Sequence, residues 1–156
     1  MKYWKHLLAF LALLSIVSSL TVAPAMAIEE PNIAGEAAVV MDFNSGQVVW
    51  SKNENEPRAP ASTTKILTAL IALEKGNLQD EVTISEDAVR VDGTRVYLVA
   101  GEKQTLENLL YAMLLNSAND AAYAIGEYIG GTIEGFAQMM NEKARQLGAV
   151  HSHFVN

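Results

Sequence analysis

The sequence predicts an α+β fold, on three observations. Two β-rich runs flank a glycine-containing turn near the N-terminus, helical periodicity dominates from residue 63 onward, and half of the residues are hydrophobic, enough for a real core. A hairpin followed mainly by helices lacks the regular strand–helix alternation of βαβ units. At 156 residues the chain is one domain or part of one.

The first 27 residues read as a segment apart. Lys2, Lys5 and His6 precede an apolar run from Leu7 to Leu20, and Ala25 and Ala27 supply small residues. This is the layout of a secretory signal, with cleavage expected after Ala27. The alternative is an uncleaved membrane anchor, although the apolar run falls short of the ~20 residues a span needs. Without this segment nine basic residues face eighteen acidic ones, a formal charge of −9, which disfavours nucleic acid as a partner. The chain has no cysteine, and its two remaining histidines are His151 and His153. Thiol chemistry and a disulfide framework are thereby excluded, and a histidine-based triad or metal cluster would have to draw on the last six residues.

After a polar leader over 28–36, "AAVVMDFNSGQVVWSKN" alternates β-forming residues around Asn44-Ser45-Gly46 and predicts a hairpin. Pro57 and Pro60 then delay helix formation. A helix is predicted from Thr63 to Lys75, with Gly76 as terminator. Its apolar residues leave almost no polar face, which predicts a buried central helix. "LQDEVTISEDAVR" reads as a short extended piece and a helical turn capped by Ser85, and "DGTRVYLVAGEKQ" as loop with short extended segments. Further helices are expected from about 106 to 115, 120 to 129 and 133 to 147, the second after a polar break at "NSAND". A single hairpin is marginal cover for several helices, so an N-terminal portion of a larger domain is expected.

The chemistry concentrates in two places. Ser62 and Lys65 in "PASTTKILTAL" are three residues apart at a helix start, so their side chains can face one point. A serine hydroxyl needs a base to become a nucleophile, and lysine is the base available here. To act it must be neutral, a form favoured by burial and by the electropositive helix terminus, whose backbone N–H groups also suit an oxyanion. The bland alternative is equally physical: serine is a good helix cap and lysine a good helix former. The second place is "LLNSANDAA". Either one helix ends there and Asn119 caps the next, or Ser117 relays a proton while the Asn119 amide holds substrate.

With both motifs in view the chain resembles the serine-type D-alanyl-D-alanine carboxypeptidases, the low-molecular-mass penicillin-binding proteins of peptidase family S11. S-x-x-K and a following S-x-N belong to the signature of penicillin-binding proteins and class A β-lactamases. The hairpin, "PASTTKILTAL", "TLENLLYAMLLNSANDAAYAIGEYIGG" and "FAQMMNEKARQLGAVHSHFVN" extend the likeness over the mature chain. The resemblance implies a β-lactamase/transpeptidase-like fold, here the hairpin and helical lobe with the rest of the main sheet missing. It makes residues 28–156 a partial catalytic domain, Ser62 the acyl-enzyme nucleophile and Lys65 its base, and it puts Ser117 and Asn119 on the opposite wall of the cleft. It implies an exported, extracytoplasmic protein that acts on peptidoglycan stem peptides ending in D-Ala-D-Ala and binds β-lactams. No metal or cofactor is implied, nor a membrane contact other than through an uncleaved signal or segments outside this chain.

The sequence departs from the family at Ala118, where glycine is usual, and contains no Lys-Thr-Gly. In the family that third motif binds the substrate carboxylate and completes the oxyanion hole, and it would lie beyond Asn156. Two other readings stand beside this one: a class A β-lactamase, whose second motif normally reads S-D-N, and a catalytically silent exported fragment or binding module.

Overall fold

The computed structural model describes residues 30–155 together with Tyr3, Trp4 and His6. The leader expected over 1–27 therefore lies outside the described residues, those three apart. Among the described residues no helix is long and apolar enough to cross a membrane. The chain divides into two units, one ending at Glu56 and one beginning at Pro57.

The first unit holds the predicted hairpin. Strands β1 (Ala38–Met41) and β2 (Val48–Lys52) pair antiparallel, from Ala38 opposite Lys52 to Met41 opposite Val48, with a bulge between Val40 and Met41. Asp42 closes the turn: its Oδ1 accepts from the Ser45 backbone N–H at 2.7 Å and from the Ser45 hydroxyl at 2.6 Å. These hydrogen bonds hold the Asp42 carboxyl below its ordinary range. Gly46 supplies the left-handed residue the turn requires, at φ +69°.

The second unit contains helices α1 (Thr64–Lys75), α2 (Leu106–Asn116), α3 (Asn119–Gly130) and α4 (Ile133–Gln146). It also holds the short extended pieces expected there, β3 (Glu81–Thr83) and β4 (Lys103–Thr105), whose antiparallel pairing the sequence did not announce. Thr105 caps α2 by accepting from the Asn108 N–H, and Thr132 caps α4 by accepting from the Gly135 N–H. Gly76 ends α1, but at φ −103° it is not a left-handed cap. Space is what favours glycine there: a Cβ would lie 2.5 Å from Leu106 Cδ2 and 2.9 Å from Ile129 Cδ1, so those side-chain ends would have to shift.

The main core gathers Leu106, Leu109, Met113, Ala121 and Ile125 with Val82 and Ile84 of the β3 side, all buried. Each fully buried Leu, Ile or Met contributes about 1.5–3 kcal/mol relative to exposure. A smaller cluster of Ile71, Phe136 and Met140 joins α1 to α4. The central helix is α3, which packs against α1, α2 and α4, and this corrects the expectation that the Ser62 helix is buried all round. Helix α1 buries Thr68, Ala69, Ile71 and Ala72 but leaves Ile66 68% and Leu73 58% exposed. Its neighbours in this unit cover one side only.

Candidate active site

Ser62 does not cap α1. It lies in a tight turn, Ala61–Thr63, that feeds the helix, and neither that turn nor α1 has a side-chain cap. The Thr63 hydroxyl bonds back to Pro60 O instead. Lys65, in the first turn of α1, donates from Nζ toward Ser62 Oγ at 3.4 Å, as i,i+3 geometry allows.

The break between α2 and α3 completes the arrangement. Ser117 takes the left-handed conformation, φ +54°, and turns the chain sharply. Ala118 follows at φ −66°, an ordinary conformation for a residue with a Cβ, and is fully buried. Asn119 is the first residue of α3 rather than its cap. The Ser117 hydroxyl donates to Ser62 Oγ at 2.9 Å, and Lys65 Nζ donates to Ser117 Oγ at 3.3 Å and to Asn119 Oδ1 at 2.7 Å. Residues 62, 65, 117 and 119 are thus brought to one point from two helix starts more than 50 residues apart.

Two non-glycine residues with positive φ flank this point, Ala61 at +49° and Ser117 at +54°. Such conformations cost about 1–3 kcal/mol each and persist where the surroundings enforce them, often at functional sites. Burial of the Lys65 amine holds it below its ordinary value of 10.5, favouring the neutral form. The site opens into a cleft of about 590 Å³ lined by Ser62, Lys65 and Asn119 together with Ile133, Phe136 and Met140. That is the size and mixed character of a small-molecule site. The chemistry available is nucleophilic: a hydroxyl, an amine partly stripped of solvent, and a second hydroxyl touching both. Among the described residues no group of three or more His, Cys, Asp or Glu is placed to hold a metal ion.

The Asn119 amide is engaged within the protein at both ends, with Oδ1 on Lys65 and Nδ2 donating to Asp92 O at 2.6 Å. An amide has two donors and two lone pairs, so these two bonds do not exhaust it. Sequence reasoning missed Asp120, which is fully buried. Its carboxylate accepts N–H bonds from Val96, Leu98 and Ala121 at 3.0–3.2 Å. A charge in the middle of "LLNSANDAAYAIG" was the available signal, since a buried carboxylate must be paired or hydrogen-bonded.

Comparison with known proteins identifies the family. The family model for D-alanyl-D-alanine carboxypeptidase, peptidase S11, matches residues 24–156. D-alanyl-D-alanine carboxypeptidase DacF of Bacillus subtilis is 40% identical over 126 residues, 78% of this chain and 32% of its own length. The crystal structure of a D-alanyl-D-alanine carboxypeptidase from Mycobacterium tuberculosis superposes with a TM-score of 0.77 at 34% identity, over 85% of this chain and 50% of that one. Penicillin binding protein 5 from Haemophilus influenzae gives 0.75 at 30% identity, over 81% and 39%. The chain therefore spans about a third to a half of the length of these relatives, and its α+β fold is the penicillin-binding, transpeptidase-like fold expected from the sequence. With a family match over most of its residues, the chain belongs to the D-alanyl-D-alanine carboxypeptidases of peptidase family S11.

Proposed function

We propose that the protein is a serine-type D-Ala-D-Ala carboxypeptidase that works through an acyl-enzyme on Ser62. The observation that carries this reading is the Ser62–Lys65–Ser117 triangle, closed at 2.9–3.4 Å around a lysine whose burial favours the neutral amine. In the first step Ser62 Oγ attacks the carbonyl between the two terminal D-alanines while Lys65 Nζ takes the hydroxyl proton. Ser117, in contact with both, passes that proton to the leaving nitrogen, and D-alanine departs. Water then hydrolyses the ester and Ser62 regains its proton. Asn119 holds Lys65 and lines the cleft where the peptide lies. β-Lactams enter the same sequence by ring opening on Ser62.

The substrate is the peptidoglycan stem peptide, and its location makes the protein extracytoplasmic. Residues 1–27 are the export signal in this reading and 28–156 a partial catalytic domain, supported by the charged, apolar and small-residue order of the leader. The test is free D-alanine released from a synthetic peptide ending in D-Ala-D-Ala. Release that disappears in Ser62→Ala supports the proposal, and release that survives the substitution refutes the assignment of the nucleophile.

A further inference from the structure

The loop from Asp92 to Leu98 and the first two residues of α3 hold each other by four hydrogen bonds. The Asn119 backbone N–H donates to Thr94 O at 2.8 Å and its Nδ2 to Asp92 O at 2.6 Å. In the other direction the Val96 and Leu98 N–H groups donate to the two carboxylate oxygens of buried Asp120 at 3.2 and 3.1 Å. Gly93, at φ +89°, lies so close beneath the amide that a Cβ there would sit 2.7 Å from Asn119 Nδ2.

This clamp decides which way the Asn119 amide faces. A carbonyl oxygen only accepts, so the group 2.6 Å from Asp92 O must be the NH₂ end; the reversed amide would bring two oxygens to that distance. Oδ1 is thereby turned to Lys65 Nζ, 2.7 Å away, the shortest contact the amine makes. Because Oδ1 cannot donate, it fixes one N–H of a neutral Lys65. Ser117 Oγ at 3.3 Å takes the second, and loss of the third proton, the one the ammonium directs to Ser62 Oγ at 3.4 Å, leaves the lone pair on that side. A base whose lone pair already faces the proton it removes needs no reorganisation during reaction.

We propose that Asp120 is a positioning residue for acylation of Ser62: by anchoring the Asp92–Leu98 loop it fixes the Asn119 amide, and through that amide the orientation of the Lys65 amine. The inference rests on the reading of Lys65 as the base. Asp120 itself touches no reacting atom.

Two variants attack the clamp from opposite ends. Asp120→Asn keeps the size of the side chain but replaces an accepting oxygen by a donor. Gly93→Ala, in an exposed stretch of the loop, pushes on the amide from outside the core. Two readouts are taken on the full chain: the rate at which benzylpenicillin adds to Ser62, and the pH midpoint at which the Lys65 amine competes for acetic anhydride, both by peptide mass. Asp92 is the one carboxylate and Tyr123 the one phenol among the residues that line the cleft with Lys65, and neither is changed.

The expected result is at least tenfold slower addition in each variant and a Lys65 midpoint moved upward as water replaces the loop. Neither variant should add to the effect of Asn119→Ala, because their influence passes through that amide. Undiminished effects on top of Asn119→Ala, or no effect in variants that fold, overturn the proposal; if Asp120→Asn does not fold, Gly93→Ala decides alone. Absence of any adduct in the unsubstituted chain refutes the base reading instead. The Lys65 midpoint then decides by itself, and a midpoint unmoved by either variant overturns the positioning role.

Discussion

Replacing Lys65 by methionine separates chemistry from architecture. Methionine retains the apolar stem that packs at the start of α1 and removes only the amine with its contacts to Ser62, Ser117 and Asn119. Loss of a positioned general base lowers a rate by about 10²–10⁴, or about 2.7–5.4 kcal/mol of barrier at ~1.36 kcal/mol per decade. Stability should change far less. Each lost hydrogen bond runs to a neutral acceptor beside an open cleft and is worth about 1 kcal/mol net, and the loss is offset because an ammonium disfavoured by burial disappears with them.

The pH dependence has a definite sign. Burial lowers the folded-state value of Lys65 below 10.5, so between those two values the unfolded chain binds more protons and stability rises with pH. Below the folded value the amine is charged in both states and the full penalty is carried. Lys65→Met should flatten this dependence. The assay pairs the rate of benzylpenicillin addition, by intact mass, with thermal unfolding followed by circular dichroism at several pH values. A variant destabilised by more than about 3 kcal/mol that still acylates at the original rate would show Lys65 to be a structural residue and refute the reasoning.

Other outcomes follow from the same contacts. Acylation of Ser62 should speed up as pH rises toward the lowered Lys65 value and level off above it; a rate that falls with rising pH over that range contradicts a lysine base. Ser117→Gly relieves a left-handed serine at φ +54°, so its melting temperature should hold within the equivalent of about 1 kcal/mol while acylation drops at least ~10²-fold; the two readouts moving together would indicate a structural role. Gly76→Ala forces a methyl against Leu106 and Ile129 and should cost about 1–3 kcal/mol, measured by urea denaturation, with an unchanged midpoint showing that this packing is loose.

The four helices and the hairpin were legible because each carries its own period or turn. Predicted helix bounds fall within about two residues of the observed ones. The β3–β4 pairing was hidden because each strand has three residues, "KQT" has no apolar alternation, and the partners lie about 20 residues apart; long-range pairing of short strands leaves no local signature. The partial exposure of α1 was hidden for the opposite reason. Its sequence is apolar nearly all round, and periodicity cannot say which neighbours are present to cover Ile66 and Leu73. At the site, residue types and spacing pointed to positions 62, 65, 117 and 119, but not to the loop that orients them. Asp92 contributes a backbone carbonyl and Gly93 an absence of side chain, and neither has a motif to be read.

The central claim is that Ser62 is an activated nucleophile, and the mass of the intact chain before and after incubation with benzylpenicillin tests it most directly. The account predicts a single covalent penicilloyl adduct that maps to the peptide containing Ser62, forms faster as pH rises toward the lowered Lys65 value, and is absent in Ser62→Ala. An unchanged mass, or an adduct carried by any other residue, would contradict it.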